Sequence, residues 1–146
     1  EDSIKKAYKK CSDPNRSFLI EEFIDGREIT VTVIGKNCFP PIEIITDNEF
    51  YDYDAKYISN ETLHIEAKLS LSELNDVKLI SKKVFDVLDC KGWARIDFLQ
   101  DKQGNFFVIE VNTVPGMTEN SNVPKSGSLI GLSYNEVIQK IIYESL

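Results

Sequence analysis

Two short segments of the chain alternate apolar with polar residues: Arg95-Ile96-Asp97-Phe98-Leu99 and Phe107-Val108-Ile109-Glu110-Val111-Asn112. A period of two is the signature of strands with one buried face. The turn-rich run Asp101-Lys102-Gln103-Gly104-Asn105 lies between them and predicts a hairpin. Folding about Gln103-Gly104 sets Asp97 opposite Glu110 and Arg95 opposite Asn112, and cross-strand partners share a face. Arg95, Asp97, Glu110 and Asn112 are therefore expected on one side, with Ile96, Phe98, Ile109 and Val111 on the other. A slip of one residue would bury the charges and expose the apolar set, so the pattern fixes the register.

The same criteria divide the rest of the chain. Ile4, Ala7, Tyr8 and Cys11 recur at helical spacing, predicting a helix over Asp2–Cys11 whose lysines form a solvated face. Ser17–Phe23 reads as a strand that leads through an Asp25-Gly26 turn into the β-branched strand Glu28–Ile34. A further strand is expected over Asn37–Thr46, with Pro40-Pro41 marking an edge or a bulge. Phe50–Tyr57 is unusually aromatic for a loop and fits either a satellite core or a lid. Leu63–Lys68 alternates weakly, as another strand would. Ser70-Leu71-Ser72-Glu73 has the form of a capping box and starts a helix running to about Asp89. Leu74, Val77, Ile80, Val84 and Leu88 form its apolar stripe, predicted to pack against Ile96 and Ile109. Thr113–Lys125 has no periodicity and reads as a loop. Ser133-Tyr134-Asn135-Glu136 is a second capping box, opening a helix with Val137, Ile138, Ile141 and Ile142 inward. An antiparallel sheet with helices that follow the strands, rather than interleave with them, is an α+β fold.

Composition narrows the partners. A chain of 146 residues with 42% hydrophobic residues suits one globular domain. Its net charge of −7 gives no overall footprint for nucleic acid or an anionic membrane. No apolar run reaches the length of a membrane span, and no signal-peptide core opens the chain. Cys11, Cys38 and Cys90 are too scattered for a disulfide framework or a zinc site and read as reduced thiols of a cytoplasmic protein. His64 has no partner pattern around it, so a surface or hydrogen-bonded structural histidine is preferred to a catalytic one. The chain starts at Glu1, inside its first predicted helix, and reads as a piece of something larger.

The polar face of the predicted hairpin carries the candidate chemistry. Two carboxylates and a carboxamide are hard oxygen donors, suited to Mg²⁺ or Mn²⁺ rather than zinc. An arginine beside them suits an anion that shares the metal, such as a nucleotide phosphate. The plain alternative is a solvated face with ordinary cross-strand ion pairs. The loop that follows favours the first reading. Thr113-Val114-Pro115-Gly116-Met117 ends the strand in a Pro-Gly turn, and a polar run to Asn122 continues directly from the carboxylates, where a substrate would sit.

Gly92-Trp93-Ala94-Arg95-Ile96-Asp97, followed by Glu110-Val111-Asn112-Thr113-Val114-Pro115-Gly116-Met117-Thr118, resembles the C-terminal part of D-alanine–D-alanine ligases, members of the ATP-grasp superfamily. Phe50–Tyr57 resembles the mobile loop of that family. The likeness runs from about Leu19 to the C-terminus, with three motifs in family order. It implies the C-terminal subdomain of an ATP-grasp fold. Residues 1–146 would be part of that domain, with the N-terminal domain and the central nucleotide-covering subdomain lying in a missing N-terminal half.

The same resemblance implies ATP-dependent joining of two D-alanines through an acylphosphate, for peptidoglycan precursor synthesis by a cytoplasmic enzyme that is a homodimer when complete. Two Mg²⁺ or Mn²⁺ ions would be held by Asp97, Glu110 and Asn112. The segment from Glu21 through Phe23 to Ile24 would hug the adenine and Glu28 the ribose, with Lys56 on the phosphates. Arg95 would neutralise transferring charge, and Gly116 would offer its N–H to an oxyanion. Tyr57 would frame the D-alanine site and Ser121 bind the second substrate's carboxylate. Ligases forming the D-lactate ester tend to lack the Lys56-Tyr57 pair, which favours a dipeptide product. Asn122 departs from the leucine common in the family. The alternatives are an ATP-grasp ligase of other carboxylate and amine specificity, and a nucleotide- or metal-binding domain inactive on its own.

Overall fold

The computed structural model describes Lys5, residues 19–45 and residues 62–146. Among these residues, one antiparallel sheet is built from β1 (Gly26–Ile34), β2 (Asn37–Cys38), β3 (Ile42–Ile45), β4 (Leu63–Glu66), β5 (Trp93–Asp101) and β6 (Phe106–Asn112). The strand order is β4-β3-β1-β5-β6, with β2 pairing back on β1. Three described helices accompany the sheet: α1 (Leu71–Val87), α2 (Asn122–Ser128) and α3 (Tyr134–Ser145). This is the α+β architecture expected from the pattern.

β1 is the central strand, and its β-branched run is buried from Ile29 to Ile34, since helices cover parts of both sheet faces. On one face Ile29, Val31, Val33, Ala94, Ile96 and Phe98 meet Val77 and Phe85 of α1. On the other, Ile34 and Phe39 pack with Val123 of α2 and with Val137 and Ile141 of α3. The second cluster covers only the end of its face where β5 begins. The remainder of that face, around Thr30 and Asp97, is where the polar side chains gather.

Both capping boxes form. The Ser70 hydroxyl accepts from the Glu73 amide at 3.3 Å while Glu73 Oε2 accepts from the Ser70 amide at 2.8 Å. Ser133 and Glu136 repeat the arrangement at 3.3 and 2.7 Å. Serine hydroxyl and amide donors hold both carboxyls below the usual carboxylate range. Glu73 also ties α1 to the sheet. Gln100, buried on β5, donates to Glu73 Oε1 at 2.8 Å and accepts from Arg27 Nε at 2.8 Å. α2 lies close against α3, because a Cβ at Gly127 would run into the fully buried Val137 side chain.

Several expectations need correction. Of the strand expected over Ser17–Phe23, the described residues 19–23 are not in strand conformation, and Leu19, Ile20 and Phe23 are exposed. Apolar residues alone predicted a strand there, but none of the six described strands pairs with it. The stretch Asn37–Thr46 is two strands, β2 and β3, split at Pro40-Pro41 because proline cannot donate to the ladder. α1 buries Val77, Ser81 and Phe85, while Leu88 caps its C-terminus and is exposed. Ile142 is likewise exposed on α3. The run read as a loop to Lys125 already contains α2, whose Pro124 falls in the first turn, where its missing N–H costs nothing.

The hairpin holds the most informative difference. Asp97 pairs with Glu110 but Phe98 with Val108, so Ile109 is the extra residue of a β-bulge. The loop of residues 102–104 is one residue shorter than uniform pairing would give, and Gly104 takes the left-handed conformation there, with φ of 87°. Ile109, on the edge strand, is 47% exposed and is not among the residues packed on the core beneath α1. The predicted helix 2–11, apart from Lys5, and the aromatic segment 50–57 lie outside the described residues, as does Cys11. Cys38 and Cys90 are free thiols packed at the edge of the core, and burial pushes the Cys38 thiol up.

Candidate active site

The pairing of β5 with β6 sets Arg95 opposite Asn112 and Asp97 opposite Glu110. The pairing of β1 with β5 places Thr30 opposite Asp97 and Thr32 opposite Arg95. Strand alternation then puts Glu28, Thr30, Arg95, Asp97, Glu110 and Asn112 on one sheet face. The expected polar quartet is thus assembled as its register predicted, and Glu28 joins it from the neighbouring strand.

Asp97 is the buried centre of the site, 1% exposed. Its carboxylate accepts three donors: Arg95 Nε at 2.9 Å and Thr30 Oγ1 at 2.6 Å on Oδ1, and Arg95 Nη2 at 2.7 Å on Oδ2. Arg95 Nη2 also stands 3.6 Å from Glu110 Oε1, so one guanidinium lies between two carboxylates. Such a pairing is planar and two-pronged, the geometry a point-charge lysine does not provide. Asn112 Oδ1 accepts from the Val114 amide at 3.0 Å, turning the chain out of β6 and into the loop.

The donors fit a hard divalent cation. Asp97, Glu110 and Asn112 offer oxygen only, on adjacent register positions. A carboxylate has about four lone-pair sites and an amide oxygen two, so none is saturated by the bonds above. Among the described residues, no three histidine, cysteine or acidic side chains form a metal site by themselves. The set therefore suits an ion that takes its other oxygens from water and a phosphorylated ligand, as Mg²⁺ does.

The loop after β6 brings Gly116 and Ser121 together. A Cβ at Gly116 would lie 3.3 Å from Ser121 Oγ. That hydroxyl accepts from the Thr118 amide at 3.0 Å and bonds the Thr118 hydroxyl at 2.9 Å, and it makes no cap on α2. The Tyr134 hydroxyl donates to the Met117 carbonyl at 2.7 Å, anchoring the loop to α3. Glu21, Phe23 and Ile24 occupy the segment leading into β1, with Ile24 half-buried and the other two exposed. Lys56 and Tyr57 lie outside the described residues.

Two contacts escaped the sequence reading, although His64 is the hydrogen-bonded histidine it preferred. Thr30 bonds Asp97, but its place follows only from pairing two strands separated by 67 positions. His64 Nδ1 lies 2.5 Å from Asn122 Oδ1 on the same sheet face, joining residues 58 positions apart. Burial lowers the His64 pKa, as do the nearby Lys125 and Arg95 charges, against the opposing bond to Asn122.

The fold recurs in solved structures. The D-alanine–D-alanine ligase of Bacillus anthracis complexed with ATP superposes with a TM-score of 0.73 at 31% identity, over 86% of this chain and 40% of that one. The VanG D-Ala:D-Ser ligase of Enterococcus faecalis gives 0.73 at 27% identity, over 86% of this chain and 38% of that one. The fold is that of the C-terminal domain of an ATP-grasp ligase.

The family described as "D-ala D-ala ligase C-terminus" matches residues 1–143, and the chain belongs to it. A D-alanine–D-alanine ligase from Saccharophagus degradans is 42% identical over 144 residues, covering 98% of this chain and 46% of the relative. One from Pseudoalteromonas translucida is 42% identical over 147 residues, covering 100% and 47%. The chain spans about half the length of the curated relatives it matches. Among the described residues, no helix is long and apolar enough to cross a membrane.

Proposed function

We propose that the full-length protein joins two D-alanines at the expense of ATP, and that this chain supplies the phosphate-facing half of its site. The observation that carries the reading is the register laying Arg95, Asp97, Glu110 and Asn112 on one face of one hairpin. The family membership and the ATP complex of the Bacillus anthracis ligase support the nucleotide.

A carboxylate oxygen is a poor leaving group, and phosphorylation remedies this. The carboxylate of the first D-alanine attacks the γ-phosphorus, the bond to the bridging oxygen breaks, and ADP departs. The amino group of the second D-alanine then attacks the acyl carbon and gives up its proton, and inorganic phosphate leaves with the electron pair of the broken C–O bond. Such a sequence depends on positioning and charge neutralisation rather than on a nucleophilic side chain.

Arg95, fixed by its fork to Asp97, would face the transferring phosphoryl group. Asp97, Glu110 and Asn112 would hold Mg²⁺ or Mn²⁺, which neutralises phosphate charge when bound. Glu28 would bond the ribose hydroxyls, and the segment from Glu21 through Phe23 to Ile24 would offer backbone groups to the adenine edge. Gly116 would present an unhindered N–H to the oxyanion, with Ser121 beside it for the acceptor's carboxylate. The similarity to a D-Ala:D-Ser ligase makes D-serine the competing acceptor.

Calorimetric titration of ATP into the full-length protein, with Mg²⁺ and with EDTA, tests the nucleotide site. Binding that requires both the metal and Glu110, lost in Glu110→Gln, is expected. Phosphate release dependent on D-alanine, measured against D-serine, tests the reaction. Metal-independent binding, or equal turnover by Glu110→Gln, would sink the assignment.

A further inference from the structure

We infer that His64 is a positioning residue for the acceptor end of this site, holding Asn122 by its ring and thereby fixing Ser121 beside Gly116. The inference rests on the function proposed above and adds a residue that lies outside the nucleotide and metal groups.

The sheet register places His64 on the working face. His64 pairs with Ile44, Ile44 with Glu28, and Glu28 with Leu99, one row along from the Thr30 and Asp97 pair. From the edge strand β4 its ring reaches over that face to the first residue of α2. In the Nδ1–H tautomer the ring donates to Asn122 Oδ1 at 2.5 Å. Asn122 is only 6% exposed, so its carboxamide is held where losing a partner is costly.

What α2 lacks makes this bond matter. A helix start is commonly held by its N-cap side chain, which accepts from an amide of the first turn. Ser121 is the N-cap here but makes no such bond, because its hydroxyl is engaged with Thr118. Farther along, α2 is pinned to the sheet by Val123, fully buried, and by Ser126 Oγ donating to Thr32 Oγ1 at 3.1 Å. Its first residue is pinned by His64. The residue immediately before that anchor is Ser121, whose hydroxyl lies 3.3 Å from the Cβ position of Gly116. A displacement of Asn122 is transmitted to Ser121 through a single peptide unit, whereas Asp97 and Arg95 are held by bonds of their own.

The bond requires a proton on Nδ1, which the neutral Nδ1–H tautomer carries, or a donor of similar reach in its place. Burial, and then the positive charges of Lys125 and Arg95, disfavour a second proton on the ring, against the opposing bond to Asn122. Lys125 is on α2 itself and Arg95 on β5, so two of the elements around the histidine contribute a positive charge that a protonated ring would face.

The test is steady-state kinetics of the full-length protein with separate constants for ATP and for the two D-alanine sites. His64→Phe keeps bulk but removes the donor. It is expected to raise the acceptor KM by about tenfold, the size of one lost hydrogen bond, with the KM for ATP unchanged and kcat within about threefold. His64→Gln, which can still donate to Asn122, is expected to recover most of the acceptor KM. His64→Phe placed on Asn122→Leu is expected to add nothing further. An acceptor KM unmoved by His64→Phe, or a rise shared equally with the KM for ATP, overturns the inference. Failure of Gln to rescue, or additive effects in the double variant, also overturns it. Absence of D-alanine-dependent turnover in the unmodified protein would instead overturn the function on which it rests.

Discussion

Arg95 and Asp97, two residues apart on β5, are joined by two parallel hydrogen bonds of 2.9 and 2.7 Å. Alternation along the strand makes this possible: positions i and i+2 share a face, and the arginine reaches back along it to the carboxylate. With Thr30 donating from the next strand, the carboxylate is oriented before any ligand arrives. A preorganised charge of this kind needs no rearrangement at the moment of reaction.

The two acidic members of the site should respond differently to loss of charge. Asp97 is buried, so Asp97→Asn turns a neutral amide toward the guanidinium and is expected to cost about 3 kcal/mol of stability. The Glu110 side chain is 45% exposed, and Glu110→Gln should cost less than about 1 kcal/mol. Both should lose metal-dependent ATP binding. Urea midpoints paired with calorimetry check this, and equal destabilisation by the two substitutions would refute the distinction.

The bulge predicts a contrast between two isoleucines that sequence alone treats as equivalent. Ile96 is fully buried against α1, and Ile96→Ala is expected to cost about 3 kcal/mol. Ile109 is the half-exposed extra residue, and Ile109→Ala in this chain should cost less than about 1 kcal/mol. Chemical denaturation of the two variants decides it, and similar losses would mean that Ile109 faces the helix after all.

Gly127 tests the packing that seats α2. A methyl group there meets Val137, which is fully enclosed and has nowhere to move. Gly127→Ala should therefore destabilise the chain by about 2 kcal/mol despite its higher helix propensity. A rise in Tm would show that the helices can separate at little cost.

Acid should loosen the molecule through the chain's single histidine. The His64 pKa is lowered on folding from its ordinary 6.5, chiefly by burial. As pH falls below 6.5 the unfolded chain takes up the proton first, which favours unfolding. The contribution of the neutral ring is thus complete above that value and is lost as pH falls toward the depressed folded value. Denaturation curves between pH 7.5 and 5 should show a loss in the parent chain that is smaller in His64→Gln. Parallel losses in both would assign the effect to the carboxylates.

Much of this was legible in the sequence, and the reasons are local. The quartet followed from period-two alternation and one turn, and both capping boxes from spacing within four residues. What could not be read depended on distant parts of the chain. Thr30 reaches Asp97 only through strand pairing, and the helix at Asn122 is held by contacts with Thr32 and His64 rather than by its own propensity. The strand expected over Ser17–Phe23 erred in the other direction, its apolar residues promising a strand that none of the described strands pairs with at residues 19–23. The Ile109 bulge was hidden because a three-residue loop and a four-residue loop read alike in composition.

That single unpaired residue divides the hairpin into two independently phased stretches. On the turn side, pairing is dictated by the loop; on the far side, by the carboxylates and their arginine. An insertion or deletion within residues 102–104 would change phase only as far as Ile109, leaving Glu110 opposite Asp97. The end of the ribbon that carries Arg95, Asp97, Glu110 and Asn112 is thereby separated from the end that carries the turn, so a change in the length of the connection need not reach the polar face.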